Sequence, residues 1–223
     1  MPPHSATDIE PTPIERIMTD KQQAHWEEVY ATKEEAEVSW YQEIPEPSLE
    51  LLALVEVPLS AAIIDIGGGA SRLVDVLFAK GFKDVTVVDL SADALNVTRK
   101  RLGQAGSKAK WIVADVTEWE PPVVYDLWHD RAAFHFLNSE QQQRAYIDRL
   151  RRGLRIGGHA IIGTFALEGP KKCSGLPVTR YSAESLSTLL GSGFTLLDAR
   201  RHEHTTPSGV VQKFQFSTFK KIS

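Results

Sequence analysis

Ala61-Ala-Ile-Ile-Asp-Ile-Gly-Gly-Gly-Ala-Ser71 decides how the rest of the chain is read. Ala61 to Ile66 is apolar except for Asp65, the pattern of a short strand buried on both faces. Gly67, Gly68 and Gly69 stop it. Ser71 to Lys80 then has helical spacing, with Leu73, Val76, Leu77 and Phe78 on one side. Strand, glycine turn and helix make a ligand-binding βα unit. The glycines let a ligand approach the main chain closely, and the helix start beyond them offers free N–H groups to an anionic group.

The dinucleotide pattern G-x-G-x-x-G needs its third glycine at position 72, where this chain has Arg72. What the stretch holds instead is D-x-G-x-G, as Asp65, Gly67 and Gly69 with Gly68 between them. This resembles motif I of the class I S-adenosylmethionine-dependent methyltransferases. In that family the glycine loop passes against the methionine part of the cofactor.

Downstream residues extend the pattern. Asp84-Val-Thr-Val-Val-Asp89 reads as a second buried strand and ends in an acid 20 residues after Gly69. An acid at that place accepts from a ribose diol. Leu90-Ser91 leads into a helix over 92–102, closed by Gly103. A third strand over 110–114 ends in Asp115-Val116, which the resemblance places beside the adenine. Asp65, Asp89 and Asp115 thus close three successive strands. Val123 to Trp128 reads as the fourth strand, followed by His129-Asp130-Arg131 and Ala132-Ala-Phe-His-Phe-Leu137. An amphipathic helix over 139–153 carries Tyr146, Ile147 and Leu150, with Gly153 placed as its C-terminal cap. Arg155 to Phe165 supplies the next strand and 166–180 a long irregular loop at the ligand edge. A helix over 182–191 and two alternating strands over 194–202 and 210–219, joined by Pro207-Ser-Gly209, complete the chain. The expected fold is α/β and Rossmann-like: seven strands, mostly parallel, a final antiparallel hairpin, and helices on both faces. The resemblance covers roughly residues 22–221.

Three units are expected: a flexible tail over 1–20, a helical cap or lid over 21–57, and a catalytic domain over 58–223. The tail is Pro-rich and acidic, without the apolar centre of a signal peptide. In the second unit, Trp26, Tyr30 and Ser39-Trp40-Tyr41 resemble the start of several small-molecule and lysine methyltransferases. That places Trp40 at the cofactor. Ser48 reads as the N-cap of a following helix.

Composition narrows the function. The chain has 223 residues, 42% hydrophobic and 24% charged, with net charge −4, ordinary for one globular domain. It shows no basic footprint for nucleic acid. The arginines from Arg144 to Arg155 read as a solvated helix end. One cysteine, Cys173, permits no disulfide and no Cys/His metal spacing. No apolar run reaches the 18 residues of a membrane span. A reducing, cytoplasmic setting, no membrane and no metal are the expectations. The sequence leaves oligomeric state open.

Methyl transfer from a sulfonium is an in-line displacement that needs alignment and exclusion of water, and a base only for a protonated acceptor. Strand carboxyl ends face the ligand in open α/β sheets, so His129 is expected near the methyl donor, and Asp130, Arg131 and His135 at the acceptor. Asp130 can hold a cation or take a proton, Arg131 can hold a carboxylate or thiolate, and His135 can act as a base. Packing offers the alternative for His135 and helix capping for Asp130. Asp130-Arg-Ala-Ala133 after Leu127-Trp128 resembles a Trp-Asp-Arg-(Gly/Ala)-Ala stretch of thiopurine S-methyltransferase-like enzymes, with His129 inserted. That implies transfer to a small molecule, such as a thiol. The alternative acceptor is a protein lysine, although the Asp-Lys-Gly usual in those enzymes is absent. An NAD(P)-dependent oxidoreductase of the short-chain type is a further alternative, and the absence of a tyrosine followed four residues later by lysine counts against it. Asn/Asp-Pro-Pro-aromatic, expected of nucleic-acid methylation, is absent after the fourth strand. A cofactor-binding protein without turnover is the remaining reading.

Overall fold

The computed structural model describes residues 13–223, with side chains from residue 21 onward. Its elements in chain order are α1 (Pro13–Thr32), α2 (Ser48–Leu54), β1 (Ala62–Ile66), α3 (Leu73–Ala79), β2 (Asp84–Asp89), α4 (Ala92–Leu102), β3 (Lys110–Val113), β4 (Tyr125–Arg131), α5 (Glu140–Gly153), β5 (Leu154–Phe165), β6 (Lys172–Cys173), β7 (Leu176–Pro177), α6 (Ala183–Leu190), β8 (Phe194–Thr205) and β9 (Val211–Lys221). Seven strands form one sheet in the order β3-β2-β1-β4-β5-β9-β8. The first five are parallel, and β9 joins β5 antiparallel before β8 closes the edge. Strand order reverses between β1 and β4, the switch point at which open α/β sheets bind ligands.

Two apolar layers cover the sheet. Ile63, Leu127 and Phe216 pack with Leu51, Leu73 and Leu77 of α2 and α3. Ile64, Trp128 and Ile162 pack with Tyr146, Leu150 and Leu186 of α5 and α6. Alternation along each strand assigns each side chain to one layer or the other. Full burial contributes about 1.5–3 kcal/mol for each such Ile, Leu or Phe.

Five local expectations change. β4 runs through Arg131 instead of stopping at Trp128, because it is held between β1 and β5 as far as Asp130 and Arg131. Ser48 is the first residue of α2, with Pro47 at the cap. Its hydroxyl is fully buried and bonds a side chain of β4. Gly153 is the last residue of α5 and caps nothing. A Cβ there would lie 2.9 Å from both Pro121 and Trp128, so the requirement is close packing. Within 166–180, β6 and β7 form a small hairpin turning at Ser174 and Gly175, both at positive φ. Finally, α1 begins at Pro13, so 13–20 are helical, and the rest of the expected tail, 1–12, lies outside the described residues. No described helix is long and apolar enough to cross a membrane.

Candidate active site

The glycine loop leaves β1 at Gly67, whose φ is +66°. A Cβ on Gly67 would lie 2.7 Å from Ala133, and one on Gly69 would lie 2.6 Å from Asp89 Oδ2. The loop is therefore compressed between the ends of β2 and β4, and only glycine fits. Asp89 fixes it from the β2 side. Its Oδ2 accepts from the Gly69 N–H and its Oδ1 from the Ser91 N–H, both at 2.9 Å. Burial, with Asp65 and Glu27 nearby, pushes the Asp89 carboxyl up to about 6. Asp115 Oδ1 accepts from the backbone and hydroxyl of Thr117, both at 2.7 Å. The chain leaves β4 through Ala132, a non-glycine residue at φ +66°. Such a conformation costs about 1 kcal/mol or more and clusters at functional sites.

These turns wall a cavity of about 880 Å³, counted with its open mouth. Ile66, Gly67, Asp89, Leu90, Asp115, Val116 and Leu137 form one end. Trp26, Tyr30, Trp40, Phe136 and Cys173 surround the other. Trp26 meets Trp40 and Phe136 edge-to-face, with centroids 5.5 and 5.1 Å apart. Gln22, Trp26 and Tyr30 recur every four residues, so one face of α1 roofs the cavity. Two acids dock the N-terminal segment. Glu27 accepts from the backbone of Ala92 and Asp93 and from the Ser91 hydroxyl, capping α4. Glu35 pairs with Arg72 and Arg101 at 2.9 and 2.8 Å.

A second, smaller and more polar cavity adjoins the first, behind the glycine loop. Asp65 and His129 are register partners on β1 and β4 and face the same side. Asp65 Oδ1 lies 2.6 Å from His129 Nδ1, and His129 Nε2 lies 2.8 Å from the Ser48 hydroxyl. All three residues are buried. Asp65 Oδ2 and Gln42 Oε1 have no hydrogen-bond partner among the described residues and belong to residues of this cavity wall. Tyr30, Trp40, Gly67 and Arg131 line both cavities and divide them.

The expected site residues thus separate. Trp40, Gly67, Asp89, Leu90, Asp115, Val116 and Arg131 meet at the large cavity. Asp65, Gly68 and His129 line the polar one, and Gly69 is tied to Asp89 beside it. Asp130 reaches neither. Strand alternation turns it toward α5, where it accepts from the Ala133 and Phe134 N–H groups and from the Tyr146 hydroxyl at 2.7 Å. Its carboxyl is fully buried and raised to about 6 by that burial. It is a structural cap, which corrects its expected contact with the acceptor. His135 also lines neither cavity. It is fully buried, with Nδ1 3.4 Å from the Phe165 N–H. Burial and then Arg131 depress it to about 3, so it stays neutral and is a weak base. Trp26, Tyr30, Phe136 and Cys173 were not in the expected set of site residues. The aromatic i, i+4 pair Trp26–Tyr30 is the sequence signal for the first two, and the place of Cys173 in the long loop at the ligand edge is the signal for the cysteine.

The geometry fits S-adenosylmethionine. An acid at the end of β2 suits a ribose diol, and the apolar walls of Leu90, Val116 and Leu137 suit a purine. The orphaned Asp65 oxygen and Arg72 suit an amino-acid end. The close packing of the glycine loop leaves room for a ligand only against bare backbone. Among the described residues, no group of three or more His, Cys, Asp or Glu could hold a metal.

Comparison with known proteins agrees. Residues 63–158, from β1 into β5, match a family described as a methyltransferase domain. Trans-aconitate 2-methyltransferase of Rhodopseudomonas palustris (strain BisB5) is 34% identical over 113 residues, 50% of this chain and 41% of that protein. Nodulation protein S of Rhizobium tropici is 27% identical over 114 residues, 51% of this chain and 47% of that one. The matched stretch thus spans less than half the length of these relatives. The solved 1,6-didemethyltoxoflavin-N1-methyltransferase of Burkholderia thailandensis, bound to S-adenosylhomocysteine, covers 98% of this chain and 94% of its own. It superposes with TM-score 0.69 at 18% identity, a likeness of fold. With motif I, the strand-end acids and the reversed strand order in place, residues 63–158 are a methyltransferase domain of the class I type, whose cofactor is S-adenosylmethionine.

Proposed function

We propose that this protein transfers a methyl group from S-adenosylmethionine to a small-molecule nucleophile that needs no base from the protein. The observation that carries the reading is the aromatic end of the large cavity, continuous with the Asp89–Asp115 end and roofed by α1. Bound S-adenosylmethionine supplies an electrophilic methyl on a sulfonium. The residues around it bind, align and exclude water. Asp89 accepts from the ribose, Asp65 and Arg72 take the amino-acid end, and Leu90, Asp115 and Val116 border the adenine. Trp26, Tyr30 and Trp40 of the N-terminal segment keep bulk water from the reacting end, where every alignment contact strengthens.

Among the described residues no free base stands on the large cavity's wall, where Asp89 and Asp115 already accept from backbone donors. Asp130 is a cap, His135 is walled off, and both nitrogens of His129 are bonded. The acceptor therefore attacks with a lone pair it already presents, as a carboxylate, a thiolate or an unprotonated nitrogen does. A protein lysine is disfavoured. The cavity lies beneath α1, and Asp89 and Asp115 are already engaged by backbone donors. The relatives named for small-molecule methylation support the small acceptor.

Calorimetric titration of the purified protein with S-adenosylmethionine and, separately, NADH tests the cofactor. Transfer of labelled methyl to fractionated small molecules, with a protein extract in parallel, tests the acceptor. Labelling confined to protein would refute the small-molecule reading.

A further inference from the structure

Among the described residues, Arg131 is the one cationic side chain on the wall of the large cavity. It is a half-buried charge whose best hydrogen-bonding edge is buried and unused. Its Nη1 donates to the Trp40 carbonyl at 2.9 Å, and its guanidinium lies 5.2 Å from the centre of the Phe214 ring. Nε and Nη2 are buried and meet no acceptor among the described residues. Those two nitrogens share the edge that grips a carboxylate with two parallel hydrogen bonds. Among the described residues no acidic side chain forms an ion pair with this arginine, whereas Arg72 has one acidic partner and Arg101 and Arg200 have two each.

A buried, unpaired cation is costly unless an anion arrives to meet it. Of the groups around it, Asp65 alone acts on it as an anion, and without a direct ion pair. The Cys173 thiol is pushed up to about 11 by burial and stays neutral. His135, His202 and His204 are all lowered, by burial first and by Arg131 itself among the further causes. Asp65 is committed to His129 through one oxygen. The cavity wall therefore presents a positive charge without a direct ion-pair partner beside Trp26, Tyr30, Trp40 and Phe136.

We propose that the methyl acceptor is an organic acid whose carboxylate is gripped by Nε and Nη2 of Arg131 at the aromatic end of the large cavity. The assignment rests on the methyltransferase reading and narrows its substrate class. It also agrees with a cavity that offers no base, since a carboxylate arrives already ionised at neutral pH.

The competing occupant is the carboxylate of the cofactor itself, since Arg131 also borders the polar cavity. Calorimetry on the protein saturated with S-adenosylhomocysteine separates them. The probes are trans-aconitate, benzoate and 4-hydroxybenzoate, each beside its methyl ester. The expected result is that at least one acid binds at least tenfold more tightly than its ester. Arg131→Met should erase that preference while S-adenosylhomocysteine affinity stays within threefold. Arg131→Lys, which keeps the charge and loses the two-pronged edge, should fall between and guards against a folding defect. Acids that bind no better than esters, no binding of any acid, or an acid preference surviving Arg131→Met would overturn the assignment. So would a tenfold loss of S-adenosylhomocysteine affinity in Arg131→Met, which gives the arginine to the cofactor. Failure of wild-type protein to bind S-adenosylhomocysteine at all would instead sink the methyltransferase reading.

Discussion

Asp89 receives two backbone N–H groups and stands where a cofactor ribose would need an acceptor. Asp89→Asn is isosteric but has only one acceptor oxygen. Its amide nitrogen must oppose either the Gly69 or the Ser91 N–H, donor against donor. Losing a charged acceptor and leaving one backbone donor unmet together cost about 2–3 kcal/mol of cofactor affinity, roughly thirty- to more than a hundred-fold. A second signature comes from pH. Burial raises this carboxyl to about 6, and the ionised form is the one that accepts from ribose. Affinity for S-adenosylhomocysteine should therefore fall about tenfold from pH 7 to pH 5, where only about a tenth of Asp89 remains ionised. The ligand's own carboxyl and amino groups titrate outside that interval. Folding stability moves the other way. A carboxyl raised above its unfolded value near 4 binds more protons folded than unfolded between about pH 4 and 6. Its contribution is thus fully present at low pH and lost as pH rises through that window. Calorimetric titrations at pH 5, 6 and 7 with wild type and Asp89→Asn check both effects. A wild-type affinity flat across that range, or an Asn variant that binds like wild type, would refute the placement of Asp89 at the ribose.

Three other substitutions probe the framework. Asp130→Ala strands the Ala133 and Phe134 N–H groups and the Tyr146 hydroxyl, so chemical denaturation should show a loss of about 2–4 kcal/mol, with cofactor affinity of the folded protein unchanged. Gly153→Ala improves helix propensity by about 1 kcal/mol, yet pushes a Cβ within 2.9 Å of Pro121 and Trp128. A net destabilisation of about 1–3 kcal/mol is expected, and a more stable variant would show that the packing yields. Ser48→Ala leaves a buried His129 nitrogen unpaired, and thermal melting should register a loss of about 1–2 kcal/mol.

The glycine loop, the strand-end acids and the final hairpin are legible in the sequence because each is a local pattern: a strand period, a turn chemistry, a spacing of 20 residues. The roles of residues 129 to 131 are not. An apolar run ends at Trp128, but hydrogen bonds from β1 and β5 carry the strand three residues further. His129 and Arg131 then share one face while Asp130 takes the other, and a reading of that segment as a loop lets all three converge. Ser48 and Gly153 fail in the same way. A serine before a helix and a glycine after one have strong local meanings. Here the partners are His129, 81 residues away, and Pro121 and Trp128. The expectations for Asp130 and His135 failed through depth, since burial and backbone donors decide whether an acid or an imidazole is available for chemistry.

Glu27 has a kinetic consequence. The amides of Ala92 and Asp93 are bonded to a carboxylate carried by α1, whereas the amide of Ala94 is capped from within by Ser91. Were α1 to lift to admit or release a ligand, the first two amides would lose their acceptor and the third would keep its own. The entrance of the cavity and the first turn of α4 would then open as one unit. Hydrogen exchange at Ala92 and Asp93, read against Ala94, becomes a clock for that opening, set into the chain without any label.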